Sequence, residues 1–339
     1  MKKLLIHTVV FAAMLVLMNW IYARWFYQED LLKHSNLVTM SWQVAADSCE
    51  LVYLGESSNK TFGYQDKDQR KISEMIADYF PGIRCGDITK EASHAEIYYY
   101  LLKNIPKDSQ VKTVVVTMNL RSFGSNWINS PLETALQKSM VLIKGYPPLM
   151  GRALLAFKAY PIHDEKEWNQ KIQEDWKKST LDFPYPFPYK TTYEWNRAIA
   201  KEKVRDSLGQ PDKAMTELTA HFVKNYAFQI RDDNPRVKDF DRIVRLAKQR
   251  GWTLVFNLMA ENTDRAEELV GDDLVYLMRE NAQYLVQRYE AMGVAVVNNL
   301  EVVRDPQFID RTWPTEHYYE KGRKTIAGRV AERLERIMH

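Results

Sequence analysis

Glu50-Leu51-Val52-Tyr53-Leu54-Gly55-Glu56-Ser57-Ser58-Asn59 is a short apolar run cut off by a glycine, an acid and two serines. It reads as a buried strand over 50–54 that stops abruptly and presents a hydroxyl at its carboxyl end, the edge at which open α/β sheets bind ligands. Near the other end of the chain, Pro314-Thr315-Glu316-His317-Tyr318-Tyr319-Glu320-Lys321-Gly322 precedes a helix expected from about 320 to 338 and supplies an imidazole. A hydroxyl after the first strand and a histidine before the last helix are a candidate nucleophile and base.

Working outward, the pattern predicts a helix over 67–79 and a second strand over 83–85. A helix over 92–102 and a third strand over 111–118 follow, the unbroken valines of the latter indicating burial on both faces. Alternation resumes late: a helix over 235–250 ended by Gly251, a strand over 252–259, a helix over 273–292 closed by Gly293, and a strand over 294–299. Strands alternating with helices predict a doubly wound, five-stranded parallel sheet of the flavodoxin-like kind. Residues 121–233 break the rhythm with five helical segments and read as a helical insertion. Inside it, Phe183-Pro184-Tyr185-Pro186-Phe187-Pro188-Tyr189 is an extended loop by its proline spacing, packing its rings on a neighbour or lining a groove.

The 339 residues carry 47 Lys and Arg against 44 Asp and Glu, a net charge of +3 that gives no electrostatic case for nucleic acid. Met1-Lys2-Lys3 leads into an apolar segment over 4–22, long enough to span a bilayer, with Trp20, Tyr22, Trp25, Phe26 and Tyr27 clustered at its far end. Tyr22-Ala23-Arg24-Trp25 is a poor cleavage site, so the segment reads as a retained anchor over 1–27. A helical stalk follows over 28–48, then one catalytic domain over 49–339. Lys2 and Lys3 place the amino terminus in the cytoplasm and the bulk of the chain in the periplasm or outside the cell; Arg24 weakens that asymmetry without reversing it. Cys49 and Cys85, expected at opposite ends of neighbouring strands, are read as two buried thiols, beyond the ~7 Å that a disulfide can bridge between Cα atoms.

The positions line up with a family. Gly55-Glu56-Ser57 resembles the Gly-Asp-Ser block of the SGNH (GDSL-like) hydrolases, with Glu for Asp. Gly86, expected directly after the second strand, resembles their second block, and Asn119 after the third strand resembles their third; His317 with Gly322 resembles their fifth. The resemblance covers about 49–120 and 235–335. It implies a catalytic Ser57–His317 pair, with Gly86 and Asn119 as oxyanion-hole donors. The anchor and the insertion are further similar to the DltD-type proteins of teichoic-acid D-alanylation and the AlgX- and AlgJ-type proteins of alginate O-acetylation. That branch implies an extracytoplasmic serine esterase or acyltransferase acting on acyl esters of an envelope polysaccharide, beside a membrane-bound O-acyltransferase.

Two departures stand out. Pro314 replaces the aspartate that the family places three residues before the histidine. Asp310 and Glu316 are the nearby acids; Glu316, adjacent to His317, should point away, which leaves Asp310 as the tentative third member. Thr117 stands where the third block has glycine. Ser58 is a rival nucleophile, though it or Asn59 fits a capping role better. His94 and His163 read as structural. No metal is implied, since no His or Cys pair has ligand spacing, and no cofactor is implied. Two other readings are a catalytically silent scaffold for the O-acyltransferase, favoured by Pro314, and a glycan-binding module using Tyr185 and its loop.

Overall fold

The structure is a computed structural model that describes residues 1–338. Five strands, β1 (Leu51–Gly55), β2 (Cys85–Thr89), β3 (Thr113–Met118), β4 (Thr253–Leu258) and β5 (Ala295–Asn298), form one parallel sheet in the order β2-β1-β3-β4-β5. The doubly wound α/β sheet expected from the strand and helix pattern is therefore present. Val52, Leu54, Val114, Val116, Phe256 and Leu258 point to one face, against the helices Ala95–Lys103, Pro235–Arg250 and Asp272–Ala291. Leu51, Tyr53, Val115, Val255 and Val297 point to the other, against Ile72–Ala77 and Glu320–Met338. Burial on both faces is why these strands read as continuous apolar runs and not as an alternation.

The strand order reverses direction between β1 and β3. In such sheets the crevice outside the carboxyl ends at that switch point is where ligands bind. Ser57 leaves β1 there and Asn119 leaves β3 beside it. The glycines that end helices behave as the sequence indicates: Gly251 caps Pro235–Arg250 at φ +70° and Gly293 follows Asp272–Ala291 at φ +79°, in the left-handed region that side chains disfavour.

Three expectations are corrected. The second strand is Cys85–Thr89, not 83–85, and Val52 pairs with Gly86 while Gly55 pairs with Thr89. Gly86 therefore sits inside β2 near its amino end, three residues short of the site edge, roughly 10 Å at strand rise. Its missing side chain has a packing reason, since a Cβ there would meet Cys49 Sγ at 2.6 Å. Cys49 and Cys85 accordingly lie near the same, amino, ends of β1 and β2, so the separation argument fails. Both stand as thiols, and burial pushes Cys85 up to about 11, far from reactive thiolate. The third correction concerns residues 28–48, which do not form a stalk held off the domain. Helices Tyr27–His34 and Val38–Ala46 bury Leu31, Val38 and Val44 in the main core, and Ser41 Oγ donates to Leu101 O at 2.7 Å.

The insertion is helical, as its pattern requires, with Leu132–Met140, Pro148–Ala156, Glu165–Lys178, Thr192–Glu202 and Lys213–Tyr226. The 183–189 loop packs inward on itself and its neighbours. Phe187 lies 4.8 Å from Trp195, Phe183 lies 5.5 Å from Tyr276, and Tyr185 donates to Asp273 at 2.8 Å.

The last helix is locked to the segment after Ser57 by Arg323, fully buried, which donates to Asp66 at 2.8 Å and to the Arg70 and Asp68 carbonyls at 2.6 Å each. Removing one member of a buried pair strands the other's charge. Arg323→Leu is expected to lower unfolding stability in detergent by about 3–5 kcal/mol, read from the urea midpoint; a shift under about 1 kcal/mol, the scale of an exposed pair, would show the contact to be idle.

Candidate active site

β1 turns directly into the short helix Ser57–Lys60, and Gly55 makes the turn possible. A Cβ on Gly55 would stand 2.8 Å from Asn59 Cβ and 3.0 Å from Tyr53 Cε1. Glu56 is the N-cap, its Oε1 accepting from Ser58 N at 3.0 Å. Ser57 is thus the first residue of a helix; it lines the cavity, and its N–H is one of the first-turn donors that have no intrahelical partner. Ser58 is buried and does not line the cavity. Asn59 turns away from the cavity, accepting from Ser73 N at 2.9 Å in the first turn of Ile72–Ala77 and donating to Thr89 Oγ1 at 2.7 Å.

His317 arrives on a hairpin-like return over 305–319. Ile309 N donates to His317 O at 2.9 Å, Tyr319 N to Gln307 O at 2.8 Å, and Phe308 bridges Tyr318. Extended backbone alternates its side chains, so Glu316 and Tyr318 are buried while His317 faces the crevice. The return folds Asp310 back on the imidazole. His317 Nδ1 lies 2.7 Å from Asp310 Oδ2, which also accepts from Thr315 Oγ1 at 2.7 Å. With Nδ1–H donating to the carboxylate, Nε2 is the acceptor, and it lies 3.0 Å from Ser57 Oγ. The return is longer than the three-residue spacing assumes, so Pro314 leaves room for the acid seven positions from the histidine.

Ser57 Oγ has a second acceptor. Glu56 Oε2 stands 2.6 Å away, nearer than the imidazole. One hydroxyl proton cannot serve both, so the Ser57 hydroxyl is drawn between Glu56 and His317.

The cavity over these groups measures about 480 Å³. Ser57, His317 and Asn119 lie on its floor; Trp127, Leu132, Leu136 and Trp313 form an apolar wall that comes from the insertion and the histidine loop. Asn119 Oδ1 has no partner among the described residues. Gly86 is not in the cavity; the loop beyond β2, residues 90–93, lines it instead. There Ala92 holds φ +57°, a left-handed conformation usually given to glycine. No glycine marks that loop in the sequence, so spacing alone selected Gly86. Phe183 to Tyr189 contribute nothing to the lining.

Two buried charge clusters brace the cavity, and neither was visible in the sequence. Arg236 Nη1 donates to His94 Nδ1 at 2.6 Å, which leaves the His94 Nε2–H to face Glu133 at 2.7 Å, and Arg236 Nη2 reaches Glu133 at 2.6 Å. Burial and the Arg236 charge lower His94, so this histidine is neutral and structural, although it lines the cavity. Glu133 is held down at about 2: burial opposes ionisation, but His94 and Arg236 together outweigh it. The second cluster joins three loops. Arg121, just past β3, grips Glu316 with Nε at 2.6 Å and with Nη2. Glu261, beyond β4, accepts from Leu120 N at 3.2 Å and Tyr226 OH at 2.7 Å.

No known family matches the chain in sequence, and no curated protein does. Among solved structures it is similar to a lipase/acylhydrolase from Enterococcus faecalis, at 8% identity and TM-score 0.35 over 85% of this chain and 96% of that one. It is also similar to a GDSL-like lipase from Bacteroides thetaiotaomicron, at 8% identity and TM-score 0.37 over 89% of this chain and 98% of that one.

Burial, and then the neighbouring Glu316 charge, raise Glu261 well above the ordinary carboxyl range despite Arg121. The folded state therefore holds a proton on Glu261 that the unfolded chain releases near pH ~4.3. Its stabilising share is complete below that value and is lost as pH rises through the folded-state pKa. Glu261→Gln, which mimics the neutral acid, should flatten the fall in stability from about pH 5 upward; denaturant midpoints that decline equally steeply in both proteins would contradict a neutral Glu261.

Proposed function

We propose that the protein is a membrane-anchored, extracytoplasmic serine esterase or acyltransferase of the SGNH-like kind, acting on acyl esters of an envelope polysaccharide. The observation that supports it is the alignment of Ser57 Oγ, His317 Nε2, His317 Nδ1 and Asp310 Oδ2 at 3.0 and 2.7 Å inside one cavity. Such an ordered nucleophile, base and orienting acid is the geometry of acyl transfer.

In that reading Nε2 of His317 takes the Ser57 proton as Oγ bonds to the ester carbonyl carbon. Asp310 holds the imidazole's orientation and stabilises the imidazolium. The oxyanion meets the Ser57 N–H, the Asn119 amide and an N–H of the 90–93 loop, where Ala92 replaces Gly86 as the donor of choice. The tetrahedral intermediate collapses with cleavage of the carbonyl C–O bond, and the leaving alkoxide takes the proton back from Nε2. Water then releases the acid, or a sugar hydroxyl takes the acyl group, by the same steps in reverse.

The short Glu56 contact favours a second reading. A serine whose hydroxyl stays on Glu56 would be a silent scaffold beside a membrane-bound O-acyltransferase. A fluorophosphonate probe separates the two, since only an activated serine labels.

For the enzyme, full-length protein should turn over a small acetyl ester and label with the probe, and Ser57→Ala and His317→Ala should lose both. Asn119→Ala should lower kcat by about 10²–10³-fold, and Asp310→Asn by up to about 10⁴-fold. Equal activity in all of these, or none in the parent, would refute the enzymatic reading.

A further inference from the structure

Lys2–Trp25 is, among the described residues, the one helix long and apolar enough to cross a membrane, and none of its residues is buried. Its last turns are nevertheless occupied. The insertion helix Pro148–Ala156 packs on them, and Asn19, Ile21 and Tyr22 are half-covered there. Asn19 Oδ1 accepts from Leu149 N at 3.0 Å, satisfying a first-turn donor that has no partner in its own helix. Arg152 Nε and Tyr22 OH both donate to Asp30 Oδ2 at 2.8 Å, pinning the same helix a second time.

These bonds fix a depth. Asn19 lies three residues inside Tyr22, about 4.5 Å along the helix axis, within the apolar segment. The start of Pro148–Ala156 is therefore level with the end of that segment. Gly151 and Leu155 are the buried side of this helix, and Gly151 lies over Leu142. On the other side and just beyond, Met150 is 49% exposed, Phe157 84% and Ile162 45%. Exposed apolar residues alone mean little, but here they project from an element bonded to the apolar segment itself.

We propose that Pro148–Ala156 and residues 157–162 form a second membrane contact, lying in the headgroup–acyl boundary beside the span with Met150, Phe157 and Ile162 inserted. This rests on reading Lys2–Trp25 as a membrane span. Such a shallow amphipathic element binds by buried apolar area. It also sets the height of the active site. The helix Leu132–Met140 begins at the cavity wall and leads to Leu142, whose carbonyl accepts from Tyr27 OH at 2.7 Å beside the span. Leu136, the last residue of that helix to line the cavity, stands six residues before Leu142, so the near edge of the cavity lies roughly 9 Å along the chain from those contacts. Ester groups carried close to the membrane surface are the ones within reach.

The test uses full-length protein in proteoliposomes of phosphatidylglycerol and phosphatidylethanolamine, in a Cys85→Ala background. Nitroxides are placed singly through Met150→Cys, Phe157→Cys, Met14→Cys and Tyr64→Cys. Tyr64, on the loop beyond the carboxyl end of β1, is as exposed as any of these and serves as the aqueous reference. Collision with oxygen should exceed collision with a water-soluble nickel chelate at 14, 150 and 157, and the ratio should invert at 64. An inverted ratio at 150 and 157 with a lipid value at 14 would overturn the second contact while leaving the span intact. An inverted ratio at 14 as well would overturn both.

Discussion

The bidentate ion pair between Arg121 and Glu316 is the contact on which the site depends. Arg121 belongs to the exit of β3, and Glu316 is the residue before His317. Both are buried, so the pair exists only because each side chain compensates the other's lost hydration. The cost of a third charge there is avoided by Glu261, which burial keeps neutral and which is tied in turn to Leu120 N and Tyr226 OH. Three loops from distant parts of the chain are thereby fixed at one point. The return that carries His317 has only a short ladder of its own and the buried Tyr318 beside it, and the Arg121 contact fixes it a further time, on the residue next to the imidazole that lies 3.0 Å from Ser57.

The same logic explains why the residue next to the histidine does not orient it. Extended backbone sends neighbouring side chains to opposite sides. Glu316 goes inward to Arg121, and His317 goes outward to the crevice, where Asp310 is returned to it by the turn through Trp313 and Pro314. The proline marks a longer return, not a missing acid. On the other side of the serine, Glu56 caps the helix that begins at Ser57 and also accepts from the Ser57 hydroxyl. One side chain thus holds the turn and competes with His317 for the same hydroxyl.

The insertion, outside the family resemblance altogether, supplies much of what surrounds this centre. It contributes the apolar cavity wall through Trp127, Leu132 and Leu136, the Glu133 that holds Arg236 and His94, and the helix that packs on the apolar amino-terminal segment. The lining of the cavity and the packing of the apolar amino-terminal helix are therefore built by the part of the chain that sequence pattern describes least.

Local physics made a good deal legible. Apolar runs of strand length, helical periodicity and terminating glycines gave the parallel sheet, and the abrupt end of β1 singled out Ser57. A lone late histidine ahead of a helix singled out His317. The errors were of register and of distance. Placing β2 two residues early moved the oxyanion assignment to Gly86 and put the two cysteines at opposite ends, because a strand's limits are set by its neighbours' hydrogen bonds and not by its own composition. The Arg121–Glu316 and Arg236–Glu133 pairs span 195 and 103 positions, and no spacing rule can announce a contact whose partners meet only after the chain closes. The sequence by itself determined the sheet, the apolar amino-terminal segment and the serine and histidine that meet in the cavity, since these depend on near neighbours. Which acid meets the histidine, which loop lines the cavity beside Ser57 and which acceptors share the serine hydroxyl were decided by tertiary structure alone, because burial turns charge into geometry only once distant segments share a low-dielectric interior.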